Sequence, residues 1–162
     1  MKQPQLHGRW VIVLSFIVAL SLTIVPMPDW AAPLRPEWVV VVLIFWCLAV
    51  PQRVSVGTAW FCGLLLDVLR GAVLGQHALT LSLVAYVTIK LHRRIRVYPR
   101  WQQSLAVLAL VLLHQLPLFW VNGMMGVSGQ DWSYWLPALS SALLWPIVYP
   151  LLRDLQQRFR VV

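Results

Sequence analysis

Six apolar runs follow one another between residues 10 and 152, separated by short segments that hold nearly all of the charge and much of the proline. A helix of about 20 apolar residues spans the ~30 Å hydrocarbon core of a bilayer at ~1.5 Å per residue. Only a structure that satisfies its own backbone hydrogen bonds can sit there. Charged residues make up 11% of the 162 residues and hydrophobic ones 60%, where a soluble domain carries about 25% charged. A soluble core does not explain that deficit, because a chain of this size has too much surface to cover. The expected class is an all-α polytopic membrane protein, a single integral domain over residues 1–162 with about six transmembrane helices at 10–26, 37–51, 54–70, 72–90, 103–121 and 134–152.

The run at 38–50 has thirteen residues and reaches only about 20 Å as a helix. The second span is expected to borrow residues before it, to thin the bilayer, or to enter as a re-entrant hairpin with the third. Lys2 and Arg9 precede the first run, but the small residues that signal-peptide cleavage requires are missing around Ala31 and Ala32, so an uncleaved anchor is expected. Seven tryptophans (Trp10, Trp30, Trp38, Trp101, Trp120, Trp132 and Trp135) fall at run ends, as an interfacial belt requires, while Trp46 and Trp60 fall inside runs and are expected to pack.

Lys and Arg collect in short cytoplasmic loops, and Asp and Glu count little. Six passes with both termini in the cytoplasm place eleven of the thirteen basic residues inside: Lys2, Arg9, Arg53, Lys90, Arg93, Arg94, Arg96, Arg100, Arg153, Arg158 and Arg160. Only Arg35 and Arg70 then fall outside, while Asp29, Glu37, Asp67 and Asp131 lie at the outer face. If 38–69 were one span, the basic loop Lys90, Arg93, Arg94, Arg96 and Arg100 would face outward, against the rule. The net charge of +8 therefore reads as topology signal and contact with membrane lipids, with no nucleic-acid partner, because the charges flank apolar spans and do not line one helix face. The tail from 153 to 162 is a short basic helical end suited to lying on the inner leaflet.

An ionisable residue inside a span is expensive and is the first place to look for function. Asp67 is the one acid inside an apolar run. Either it pairs with Arg70 and helps cap a tight outer turn ended by Gly71, or it lines an outward-facing pocket or partner groove. Gly71 and Gly75 form a Gly-x-x-x-Gly, a spacing that lets helix backbones approach closely. Gln76 and His77 follow, and His77 is placed to face Asp67 across the turn. His114 precedes Pro117 in the fifth run and is expected to bond a carbonyl freed by the proline. Pro137, Pro146 and Pro150 predict kinks in the last span. Cys47 and Cys62 have no zinc or redox spacing and read as buried small hydrophobes. No metal site, no cofactor and no catalytic residue is expected, since nucleophile, metal and phosphate-loop signatures are missing.

The stretch Gly63, Asp67, Gly71, Gly75, Ala78 and Leu79, a Gly, an Asp and two further Gly at four-residue spacing followed by Ala-Leu, resembles the rod shape-determining MreD family in its proteobacterial form. Arg35-Pro36-Glu37-Trp38 before the second run, with Trp46 and Pro51-Gln52-Arg53 after it, adds to the resemblance. The resemblance implies a non-catalytic scaffold in the inner membrane, needed for rod shape. Its implied partners are an MreC-like bitopic protein and an elongation complex with cytoskeletal MreB, RodA and its transpeptidase. The motif residues Gly63, Asp67, Arg70, Gly71, Gly75, Gln76, His77, Ala78 and Leu79 would then serve helix packing or partner binding. The family also resembles the S components of energy-coupling-factor transporters. This keeps open a second reading, an outward-facing binder of a small molecule or lipid precursor.

Overall fold

The computed structural model describes residues 8–126 and 131–161. Lys2, one of the basic residues expected to face inward, lies outside them. The described residues form six α-helices and two short 3-10 turns, with no strand among them: α1 (Arg9–Ile24), α2 (Trp38–Ala49), α3 (Val56–Arg70), α4 (Gln76–Val97), α5 (Arg100–Met124) and α6 (Leu136–Arg158). Three segments, 32–49, 100–124 and 132–158, are long and apolar enough to cross a membrane, and α1 is a shorter apolar helix.

The short second helix is the centre of the molecule. Ten of its twelve residues, Val39 through Leu48, are buried, and it packs on α1, α4, α5 and α6. A helix that is apolar all round has no solvent face and goes to the middle. Its Val-Val-Val-Val-Leu-Ile run favours strand by propensity, but the preference is a few tenths of a kcal/mol per residue. In an apolar interior each unpaired backbone group costs several kcal/mol, so the self-satisfied helix wins.

Around it the usual order of a soluble protein is inverted. Val13, Leu14, Ile17 and Val18 of α1 and Leu139, Leu143, Ile147 and Leu151 of α6 are exposed, while Gln103, His114, Gln115, Thr80, Thr88 and Ser141 are buried. Apolar outside with polar inside fits a lipid solvent. Polar side chains bond the helices to one another. Trp46 Nε1 donates to Ser15 Oγ at 2.7 Å, joining α2 to α1. Gln103 donates to the Ile95 carbonyl at 3.1 Å and accepts from Trp145 Nε1 at 3.2 Å, tying α5 to α4 and α6.

Several expectations shift. Trp60 is 52% exposed and does not pack inward, whereas Trp46 is fully buried. The basic cluster is not a loop: Lys90, Arg93, Arg94 and Arg96 ride on the last turns of α4 and Arg100 begins α5, with only Tyr98 and Pro99 between. Charged heads extend a helix past the apolar run because good helix formers continue it into a polar layer. Pro137 sits in the first turn of α6, where a missing N–H breaks nothing. Residues 159–161 turn back onto the start of α1. Phe159 packs edge-on to Trp10, ring centroids 4.8 Å apart, and Val161 is buried against Gly8, which has room for no side chain there.

Candidate functional site

The turn between α3 and α4 is built from the motif residues. Gly71 adopts φ 63° after the last residue of α3, and the Ala72 N–H returns to the Asp67 carbonyl at 3.0 Å. This is a Schellman closure, which requires a left-handed residue at that point. Gly75, at φ 96°, then opens α4. The fourth helix therefore starts at Gln76 and not at residue 72.

The Asp67 side chain reaches across this turn and caps α4. One carboxylate oxygen accepts from the His77 backbone N–H at 2.8 Å and from His77 Nδ1 at 2.7 Å. The other accepts from the Gly75 N–H at 2.8 Å and the Ala78 N–H at 3.4 Å. The first N–H groups of a helix lack partners within it and carry the positive end of its dipole, so a buried carboxylate is stable here. Asp67 is 0% exposed. It does not pair with Arg70, as the spacing suggested. Arg70 turns to Glu37 Oε2 at 3.2 Å and to His77 Nε2 at 3.4 Å. Because a guanidinium only donates, a bond there makes His77 Nε2 the acceptor and leaves its Nδ1–H to face Asp67.

The close helix contact is at Gly63, not at the Gly71/Gly75 pair. A Cβ on Gly63 would stand 2.2 Å from Ala78 Cα and 2.5 Å from Ala78 N. Gly71 and Gly75 have nothing within 4 Å of such an atom, and their role is their positive φ. Ala78 is fully buried because α3 lies directly on it, whereas Leu79 is 71% exposed.

Above Asp67 lies a cavity of about 390 Å³ at the N-terminal end of α2, walled by Glu37, Arg70, Gln76, His77, Gln115 and Tyr134 among others. Gln76 donates to Asn122 Oδ1 at 3.1 Å, bridging α4 to α5. Gln115 and Tyr134 clamp each other through backbone carbonyls at 3.2 and 3.0 Å. Ser141 Oγ receives the Glu37 N–H at 3.0 Å. His114 does not bond the carbonyl freed by Pro117. It is fully buried, neither ring nitrogen has a partner among the described residues, and its ring lies 5.8 Å from that of His77. Gln115 Oε1 is likewise unpartnered.

Glu37, the acid that holds Arg70, was visible in the sequence as an outer-face charge and as part of the Arg35-Pro36-Glu37-Trp38 stretch, not as the partner of Arg70. Its signal was its place at the start of a run with no polar residue to bond it. Cys47 and Cys62 are buried and unpaired. Among the described residues no group of three potential ligands is arranged to hold a metal.

No solved structure matches the chain. The rod shape-determining protein MreD of Haemophilus influenzae is 36% identical over 154 residues, covering 94% of this chain and 95% of that protein. The family described as rod shape-determining protein MreD matches residues 5–155. Its members are shape-determining membrane proteins, not enzymes. The chain belongs to the MreD family of rod shape-determining proteins.

Proposed function

We propose that this chain is a multi-pass inner-membrane scaffold of the cell-elongation machinery, with both termini in the cytoplasm, that joins an MreC-like bitopic protein and cytoskeletal MreB to the wall synthases, RodA and its transpeptidase. A role in cell shape follows from the family; the partners and the orientation are the proposal. The observation that carries it is an apolar groove between α4 and α5, beside the glycine turn, lined by Val73, Leu79, Thr80, Pro117, Leu118 and Val121. Val73 and Leu79 are half exposed or more. Such a groove suits the apolar face of a partner transmembrane helix, with Asp67 holding its wall in place from behind. Asp67 itself is buried and engaged by its own chain, which supports a positioning role and not direct contact with a partner.

The test is depletion of this chain in a rod-shaped host, scored by microscopy, together with co-purification. Rounded cells, with an MreC-like protein recovered on wild type and lost from a Leu79→Arg/Val121→Arg variant that still inserts, are expected. Unchanged rods without such a partner would sink the scaffold reading.

A second reading rests on the cavity at Glu37, Arg70 and His77. The unpartnered His114 and Gln115 Oε1 beside it supply polar groups for a small molecule or lipid precursor, as in S components. Ligand screening by thermal shift, with loss on Glu37→Gln, distinguishes it, because groove variants leave that binding intact.

A further inference from the structure

A cavity of about 710 Å³ lies at the other end of α2. It exists because α2 is short. Twelve residues reach about 18 Å, while the 22, 25 and 23 residues of α4, α5 and α6 reach about 33 to 38 Å. The longer helices overhang the end of α2, and the overhang is basic: Arg96 from α4, Arg153 from α6 and Arg160 from the returning tail line the cavity with Gln103, Gln156 and Gln157. No acidic residue lines it.

Among the described residues these cations are only partly engaged. Arg96 spends Nε and one Nη on the Leu48 and Ala49 carbonyls at the end of α2, leaving its other Nη. The Arg153 and Arg160 guanidinium groups have no hydrogen bond or ion pair among the described residues, and the acid next along α6, Asp154, is taken by Arg158 at 2.9 Å. Arg160 is moreover held at φ 46°, the one positive value outside glycine among the described residues. The Val161 N–H bond to the Gln156 carbonyl at 3.0 Å and the Gln156 Nε2 bond to the Val161 carbonyl at 3.2 Å keep the tail there. Three guanidinium groups converge on one cavity, two of them without a partner among the described residues, and their planar forks match phosphate oxygens. The remaining lining residues are Phe45, Leu48, Ala49, Tyr149 and Val161, and Leu151, outside the cavity, is exposed on α6.

We infer that this cavity binds phosphate, presented as the headgroup of an anionic phospholipid whose acyl chains lie along the apolar flank of α6. The inference concerns a site remote from the partner groove and stands whether or not the scaffold reading does.

The test uses the full chain in a neutral maltoside detergent, following thermal unfolding with phosphatidylglycerol, with phosphatidylcholine, and separately with inorganic phosphate. Phosphatidylglycerol is expected to raise the midpoint by about 5 °C, the size of shift that tight binding of a ligand to the native state gives a chain of this length. Phosphatidylcholine and free phosphate are expected to leave it unchanged. The Arg153→Gln/Arg160→Gln variant is expected to lose the shift, and Arg93→Gln, at the same end but outside the cavity, to keep it. A shift with free phosphate that depends on the same two arginines would keep the phosphate site and overturn the lipid assignment. No shift with either, or equal loss in Arg93→Gln, would overturn the inference. Should the double variant fold poorly, native mass spectrometry of the wild type decides. One phosphatidylglycerol retained where phosphatidylcholine is stripped supports the site, and no retained lipid overturns it.

Discussion

At Asp67 a single carboxylate accepts from three backbone N–H groups and an imidazole. Its replacement by Ala strands those donors in an apolar interior, at a cost of about 3 kcal/mol. Asn gives little relief, because one of its two positions becomes an NH₂ facing N–H donors. Both Asp67→Ala and Asp67→Asn are therefore expected to unfold earlier than wild type in a detergent thermal melt. An Asn variant as stable as wild type would show that the cap is not what holds the turn. Gly63 makes a second, opposite forecast to the one its neighbours invite. Gly63→Ala puts a methyl 2.2 Å from Ala78 Cα and forces α3 off α4, costing about 3 kcal/mol. Gly71→Ala meets open space and bears only the left-handed backbone penalty, about 1 kcal/mol. Comparing the two melts checks the ranking, which reverses the one a Gly71/Gly75 packing pair would predict.

At the scale of elements, arginines from elsewhere in the chain finish two helices, α1 and α2. Arg35 donates to the Thr23 and Val25 carbonyls at the end of α1, at 2.7 and 2.5 Å, and Arg96 does the same for α2. The last carbonyls of a helix are otherwise orphaned. Arg96→Gln should free the final turn of α2, raising amide hydrogen exchange at Val50, Arg53 and Val54, whose N–H groups return to the Trp46 and Val50 carbonyls. The expected loss is about 2 kcal/mol, read as faster exchange there with α5 unchanged. Helix existence was legible for all six elements from the apolar runs and the polar segments that separate them. Their ends were not, because charged residues carried α4 and α6 well past their apolar runs and a Schellman turn delayed the start of α4.

For the whole molecule, the proposed orientation makes a direct forecast. In a Cys47→Ala/Cys62→Ala background, a membrane-impermeant maleimide added to spheroplasts should label Trp132→Cys, and Arg94→Cys only after the membrane is opened. Labelling in the reverse order would invert the topology and move the basic cavity to the outer face. Of the seven run-end tryptophans, Trp10, Trp30, Trp101, Trp120 and Trp132 are more than half exposed, while Trp38 and Trp135 are partly buried.

Composition and run spacing alone determined that this chain is a helical membrane protein, because 60% apolar content in repeated runs leaves no other way to satisfy the backbone in lipid. The glycine and aspartate spacing determined the family likeness. Only the tertiary structure decided that the short second run is the buried centre, since a helix with no polar face takes whatever site its neighbours leave. Tertiary structure likewise gave Asp67 to the N-terminus of α4 and Arg70 to Glu37, thirty-three residues away. Those partners are chosen by which donors the folded backbone leaves unsatisfied nearby, and sequence distance does not encode that.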